Sequence, residues 1–504
     1  MNSNLPFPIS SRLNQLNSWS VFFILFFLGL SIYFNAIFYP FVHDELVFIL
    51  KNPSINDLNL RNIFLKPSIN QSDLAVVNTY YRPLLELLNR LLFKMFQFNP
   101  WGYHLVNIFV HILNSFLVYQ IAQVLAEKRK ALFLMAAVLF LVHPIQSEAV
   151  ACISGISNLL FAFFCLGSFF LYLKSCHQNR LGLYAISLFL FFICLFAKEQ
   201  AVILPFLLLL YEICFNIHLK GSWIKSIQRI LGFFLVLAGY FLIRTAIIGF
   251  PVTQMTEDPE LWLRLRSIPA SLLMYLGLIF FPSDLHYYRS VDMLEAFIVP
   301  TISLMVVLFT AGFLTFLAKP YRRLMIFGAG WFLLAQAPTL NIIPIVNEYS
   351  FLLAAEHFMY FPLIGILFWV TGLGLYLFSL VEQENRERVK AWGGIICACL
   401  SLIFTLLTIK QNTYWRSDIA LFERTVQFEK KFGRGHLLLA QAYAANKEWG
   451  KALMEYNRAL AIMQGYLKKV KNEKIKPFYQ NYINQIYAEM DYSYKRLKGS
   501  PDAP

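Results

Sequence analysis

Charge is scarce in this chain of 504 residues. Only 14% of them are Asp, Glu, Lys or Arg, against roughly 25% in an ordinary soluble domain. With 58% hydrophobic and 17% aromatic residues, most of the length is excluded from being a water-soluble globule. Metal-type cysteine spacing is also missing: Cys152, Cys165, Cys176, Cys194, Cys214, Cys397 and Cys399 lie in or beside apolar runs. This excludes a disulfide framework, a zinc site and thiol chemistry, and Cys397 and Cys399 read as small apolar residues. The first apolar run has no small-residue cleavage site behind it and ends in Phe38-Tyr39-Pro40-Phe41, so it reads as a retained anchor. The net charge of +14 is divided among short loops, a pattern that orients membrane spans and does not point to nucleic acid.

What the chain does have is a series of apolar runs. They fall near 19–39, 103–125, 131–145, 149–173, 181–197, 200–216, 228–248, 297–317, 323–340, 359–381 and 391–410. Crossing a hydrocarbon core of about 30 Å takes roughly 20 apolar residues as a helix. The expected fold is therefore all-α and polytopic, with about eleven spans.

Basic clusters at Lys128-Arg129-Lys130, Lys174 and Arg180, Lys220, Lys225 and Arg229, Lys319, Arg322 and Arg323, and Arg386, Arg388 and Lys390 mark five cytoplasmic loops. The alternate connections, including the long 40–102 loop, then face outward. The run at about 267–282 breaks this parity and carries Pro269 and Pro282, so it reads as re-entrant or interfacial. The amino terminus is placed in the cytoplasm and the tail outside.

Residues 1–410 form the membrane domain on this reading, and 411–504 a separate helical domain rich in Lys, Glu, Gln and Tyr. Leu439, Ala440, Tyr443, Ala452, Tyr456 and Ala459 stand where a tetratricopeptide repeat needs small and aromatic residues between two helices. One repeat cannot bury its own apolar face. Trp415, Phe422 and the Tyr-rich 478–497 segment are the expected packing partners.

The costly polar groups gather at the outward connections. Asp44 and Glu45 follow the first span directly, and a charge at membrane depth costs about 2.5–3.5 kcal/mol on insertion scales. In the second span His104, Asn107, His111 and Asn114 recur at steps that put them on one helical face. Interhelical hydrogen bonds account for that stripe, with His104 nearest the outer end and the best candidate for ligand contact. Glu148 in the turn after His143-Pro144, Lys198-Glu199 at the next outer turn, Arg82, and Glu356-His357 complete the set.

These segments resemble, in order, the transmembrane-and-tetratricopeptide-repeat-containing O-mannosyltransferases and their prokaryotic relatives in the GT-C glycosyltransferase superfamily. The resemblance rests on Val42-His43-Asp44-Glu45 and Asn52-Pro53-Ser54-Ile55, then Tyr81-Arg82-Pro83-Leu84, and Asn99-Pro100 with Gly102-Tyr103-His104-Leu105-Val106-Asn107. It continues through His143-Pro144, Ser147-Glu148-Ala149-Val150, Gly155, Leu159-Leu160, Ala197-Lys198-Glu199 and Ala355-Glu356-His357 with Tyr360 and Pro362. Three departures stand out. The family pattern has arginine where His357 stands and two aspartates where Asp44-Glu45 stand, and animal members carry many more repeats.

The resemblance implies sugar transfer, with inversion, from a polyprenyl or dolichyl phosphate to a hydroxyl acceptor at the outer membrane face. A carboxylate would take the acceptor proton, with Asp44 first and Glu45 second or orienting the acceptor. The departing phosphate would need fixed cations, for which Arg82, Lys198 and His357 are the candidates. Glu148 and Glu199 would hold those cations or bind sugar hydroxyls, and His104 would contact substrate.

No DxD-type nucleotide-sugar site is present, and a lipid donor needs none. No cofactor is expected beyond that donor. A divalent metal on Asp44, Glu45, His104 and His143 is the less favoured arrangement. The partners expected are membrane lipid, the lipid-linked sugar, and a protein acceptor reached through the repeat domain. The alternatives are a transferase acting on glycolipid or envelope polysaccharide, or a transporter or inactive scaffold. The latter lacks the support of an inverted repeat of broken helices. Asn70-Gln71-Ser72 is a lone sequon, and the short repeat tail favours a prokaryotic cytoplasmic membrane over the endoplasmic reticulum.

Overall fold

The computed structural model describes residues 17–66, 81–125, 130–216, 223–248, 259–292, 297–340, 351–469 and 476–499. The Asn70 sequon, Lys128-Arg129 and Lys220 lie outside the described residues. In chain order the helices are α1 (Ser18–Tyr33), α2 (Leu60–Phe64), α3 (Pro83–Phe96), α4 (Pro100–Leu125), α5 (Lys130–Val142), α6 (Ser147–Ala151) and α7 (Ile156–Gln178). They continue as α8 (Leu181–Leu195), α9 (Leu204–Tyr211), α10 (Trp223–Ile248), α11 (Pro259–Phe280), α12 (Ile298–Leu317), α13 (Arg322–Gln336) and α14 (Leu363–Ser379). Last come α15 (Arg386–Asn412), α16 (Asp418–Phe428), α17 (Gly433–Ala445), α18 (Trp449–Lys469) and α19 (Lys476–Leu497). The fold is helical with one exception, an antiparallel ladder that pairs β1 (Arg289–Asp292) with β2 (Phe351–Ala354), Arg289 opposite Ala354.

Each apolar run folds as helix, but length separates them. Among the described residues six stretches are long and apolar enough to cross a membrane: Ser18–Phe38, Pro100–Leu125, Ile153–Gln178, Trp223–Ile248, Ile298–Leu317 and Gln383–Arg416. A seventh arises if Leu132–Val142 and Pro144–Ala151, bent by 49° at His143, count as one. The eleven apolar runs are thus of two kinds, long helices and shorter or broken ones, and local chemistry explains the shorter ones. The 200–216 run is cut into a 3-10 turn, an eight-residue α9 with Pro205 in its first turn, and a π turn that starts at the buried Glu212. The 267–282 run lies in α11, a continuous helix of 22 residues with Pro269 inside it and Arg264 and Arg266 in its first half.

The described chain forms two compact units. The first joins Met1–Glu257, Met305–Leu340 and His357–Asn412. Its aromatic centre is Trp331, fully buried, with its ring 5.0 Å from Phe361 and its indole N–H donating to the Phe361 carbonyl. Beside it α13 and α14 cross backbone to backbone. A Cβ on Gly328 would stand 2.5 Å from the Gly365 carbonyl oxygen, and one on Gly365 would stand 2.5 Å from that of Gly328. Small residues permit such an approach where lipid offers no hydrophobic drive between helices.

The second unit joins Asp258–Leu304, Asn341–Glu356 and Thr413–Pro504, so the tail is one part of a larger body. Leu439, Ala440, Tyr443, Ala452, Tyr456 and Ala459 are all buried where α17 meets α18. Between those helices the turn is made by Lys447 in the left-handed region, φ +63°. His436 Nδ1 lies 2.6 Å from Glu455 Oε2 across the pair, while Tyr456 and Gln441 both donate to Glu489 of α19. Trp415 and Phe422 pack on Tyr287. Buried Glu356 accepts from the His286 backbone N–H and from Arg289.

Candidate functional site

The chain leaves α1 through a 3-10 turn, Phe34–Phe38, and then bends at His43, a non-glycine residue with φ +50°. That region is disfavoured for L side chains by about 1–3 kcal/mol and persists only where the surroundings impose it. The bend sends two consecutive acids in opposite directions. Asp44 keeps 45% of its side chain exposed, with His43 Nε2 3.2 Å from its carboxylate. Glu45 is fully buried.

Glu45 is completely occupied. Its Oε2 accepts from the Val42 backbone N–H at 2.8 Å, and its Oε1 accepts from the N–H groups of Ile153 and Ser154 and from the Cys152 thiol at 3.3 Å. Burial pushes its pKa up to about 7, and those donors restrain the rise. It therefore ties the first loop to the 152–154 turn and is withdrawn from solvent. The Cys152 thiol is driven up by burial and then by the carboxylates of Glu45 and, more weakly, Asp44, so both acids border this turn.

The same turn is braced from α4. Asn107 Nδ2 reaches the carbonyls of Val150, Cys152 and Ile153 at 3.3, 2.9 and 3.3 Å. Gly155 closes it, for a Cβ there would lie 2.3 Å from the Ala149 carbonyl oxygen. The rest of the α4 stripe is also structural. His111 places Nε2 on the Leu141 carbonyl and Nδ1 2.7 Å from the Tyr360 hydroxyl, which also accepts from Asn114. Since a carbonyl only accepts, Nε2 carries the proton and Tyr360 donates to Nδ1. His104 places Nε2 3.2 Å from the Tyr39 carbonyl, and its buried Nδ1 has no hydrogen-bond partner. Its contact is with the exit of α1, apart from the cationic cluster.

That cluster brings five of the sequence candidates together. Arg82, just before α3, directs Nε and a terminal nitrogen at one oxygen of Glu199, at 2.9 and 2.7 Å. Glu148 grips His357 twice, taking its backbone N–H on Oε2 and its Nδ1 on Oε1, both at 2.8 Å. Lys198 is buried, donates to Asn158 Oδ1 at 2.5 Å and lies 5.6 Å from the centre of the Phe358 ring. Burial and then the Arg82 guanidinium lower the Lys198 pKa to about 7, against the opposing pull of Glu199 and Glu148. For Glu199 burial acts upward, but Arg82 prevails and holds the carboxyl below its ordinary range. Coupling through Lys198 thus places Arg82, Glu148, Lys198, Glu199 and His357 in one electrostatic neighbourhood.

Asn158 was missed from the sequence, although a lone amide in the first turn of an apolar span, between Gly155 and Leu159-Leu160, is a readable signal. Phe358 gave none. Among the described residues no three His, Cys, Asp or Glu side chains are arranged to hold a metal ion. The chemistry on offer is an accessible carboxylate on a strained bend, and a set of cations held by carboxylates.

No family model matches the chain. Over 186 residues it is 28% identical to the protein O-mannosyl-transferase TMTC3 of Mus musculus, a match covering 36% of this chain and 20% of that protein. Over 163 residues it is 31% identical to the protein O-mannosyl-transferase F38B6.6 of Caenorhabditis elegans, covering 31% and 24%. Over 180 residues it is 30% identical to the protein O-mannosyl-transferase Tmtc1 of Drosophila melanogaster, covering 35% and 20%. The resemblance drawn from the motifs thus returns in relatives carrying that name. The matched stretch spans about a fifth to a quarter of their own length.

Proposed function

We propose that this membrane protein is a glycosyltransferase that moves a hexose, mannose first, from a polyprenyl-phosphate donor to a serine or threonine hydroxyl of a protein. The observation that carries the reading is the division of labour at His43-Asp44-Glu45. One acid is locked into the scaffold, and its neighbour is left exposed beside the turn that leads from Glu148 to Asn158. The names of the relatives support mannose and a protein acceptor.

On this reading Asp44 takes the proton of the acceptor hydroxyl as its oxygen attacks the anomeric carbon, and the bond from that carbon to the phosphate oxygen breaks with inversion. The electron pair leaves on the phosphate. Arg82, Lys198 and His357 stabilise the charge that develops there, and Glu148 and Glu199 hold those cations in place. His357 supplies less than the arginine of the family pattern would, because an imidazole is charged only when protonated. The requirement for a metal is absent from this scheme. The finer topology belongs to the same proposal: eleven crossings with the shorter helices included, a cytoplasmic amino terminus, and the site and a tetratricopeptide-like tail on the outer side of a prokaryotic cytoplasmic membrane. There the tail would present acceptor protein.

The test is transfer of radiolabelled sugar from polyprenyl-phosphate-mannose and polyprenyl-phosphate-glucose in membranes containing wild type or Asp44→Asn at equal expression. Label in the protein fraction that requires Asp44 is the expected result. Label confined to lipid moves the acceptor to a glycolipid, and equal labelling by both proteins removes Asp44 as the base.

A further inference from the structure

Far from Asp44 along the chain, the first unit contains a cavity. It has a volume of about 500 Å³ and lies where α12 passes α13, with α9 and α14 completing its walls, within the range of roughly 300–1,000 Å³ typical of ligand pockets. Its lining is apolar. The polar groups of Thr315 and Trp369 are already engaged: the indole N–H donates to the threonine oxygen at 3.1 Å, and the threonine hydroxyl donates to the Ala311 carbonyl at 2.7 Å. Gly312 forms part of the wall on α12, and a Cβ there would meet nothing within 4 Å. The single charged residue of the lining is Arg322.

Arg322 is held at the end of this groove. One terminal nitrogen donates to the Phe316 carbonyl at 2.6 Å and the guanidinium carbon lies 5.0 Å from the Phe316 ring centre. Its Nε is buried without a hydrogen-bond partner. Lys319 and Arg323 flank it in sequence. An apolar trough with one fixed cation in its wall matches one kind of membrane molecule, an acyl chain joined to an anionic phosphate.

We infer that the groove between α12 and α13 binds one acidic phospholipid, its acyl chain along Gly312 and Trp369 and its phosphate at Arg322. The charge selects the headgroup, since the guanidinium of Arg322 is the charged group of the lining and pairs with a phosphate through its terminal nitrogens. The inference stands apart from the catalytic reading and holds whether or not Asp44 is a base.

Full-length protein purified in mild detergent is exposed to equal phosphatidylglycerol and phosphatidylcholine, and retained lipid is counted by native mass spectrometry. Wild type is expected to keep one phosphatidylglycerol in preference to phosphatidylcholine by about fivefold, the ratio for roughly 1 kcal/mol per basic residue at a membrane surface. Gly312→Leu, which fills groove volume from a position whose Cβ meets nothing within 4 Å, loses the adduct of both lipids. Arg322→Gln keeps an adduct and loses the preference. Equal retention of the two lipids by wild type, or an unchanged adduct in Gly312→Leu, overturns the proposal.

Discussion

Replacing Glu45 separates a scaffold role from a catalytic one. Its carboxylate receives three backbone N–H groups and one thiol, with Val42 on one oxygen and Cys152, Ile153 and Ser154 on the other. In Glu45→Gln the amide oxygen can keep the 152–154 side, but the NH₂ then faces the Val42 N–H. One buried donor is left unsatisfied, at about 1–3 kcal/mol, and the remaining bonds lose their charge assistance. The sum is roughly 2–4 kcal/mol. Glu45→Ala strands all three N–H groups and should cost about 4 kcal/mol or more, which few single substitutions reach.

Asp44→Asn touches only an exposed side chain and should stay within about 0.5 kcal/mol of wild type. Denaturant unfolding in detergent, followed by tryptophan fluorescence, measures all three variants. The ionisation of Glu45 adds a pH signature. Its folded pKa of about 7 lies above its ordinary value, so the folded state holds the extra proton. The contribution to stability is then present at pH 4 and is lost as pH rises toward 7. Glu45→Gln should flatten that slope. A Glu45→Gln protein as stable as wild type but inactive, beside an active Asp44→Asn, would refute the assignment.

Lys198, with its folded pKa lowered to about 7, should make kcat/KM for donor fall as pH rises through 7. Lys198→Arg, charged throughout, should move that limb upward if it folds, and an unchanged limb removes Lys198 from the donor site. The depressed pKa also means that Lys198 opposes folding most at and below pH 7, and that this penalty fades as pH rises from 7 to the ordinary lysine value; Lys198→Met should abolish this part of the stability profile. Arg82→Lys cannot reproduce the two-nitrogen grip on Glu199 and should lower kcat/KM for donor about tenfold, or about 1.4 kcal/mol, with the loss appearing in kcat. Tyr360→Phe leaves His111 Nδ1 and an Asn114 N–H without their partner and should destabilise by roughly 1–3 kcal/mol, read by the same unfolding assay.

Much of this architecture was legible from residue patterns, because apolar runs and turn residues act locally. Pro40 and Pro144 stand at breaks that the structure reproduces as the exit of α1 and the bend before α6. The α4 stripe was also readable as interhelical bonding, since four polar groups at helical spacing need partners inside. What escaped were distant pairings. Nothing local says that Arg82 meets Glu199 117 positions away, or that Asp44 and Glu45, adjacent and both acidic, differ so completely in exposure. That difference follows from one positive φ at His43 and from where the 152–154 amides lie. Helix length was not legible either, because composition sees an apolar run and misses the 3-10 and π turns that shorten the 200–216 run. The reach of the second unit into 258–304 and 341–356 is likewise a tertiary outcome.

The meeting of Gly328 with Gly365 bears on how the lipid groove can move. Two helices whose backbones touch at a pair of glycines are indexed like a bolt in its keeper. Sliding by a turn would bring side chains against main chain, and even Gly328→Ala should cost about 1–3 kcal/mol. The walls supplied by α13 and α14 are therefore keyed to one another, whereas α12 has only 11% of its apolar window buried. A lipid bound as proposed would thus rest against a wall whose register is set by main chain.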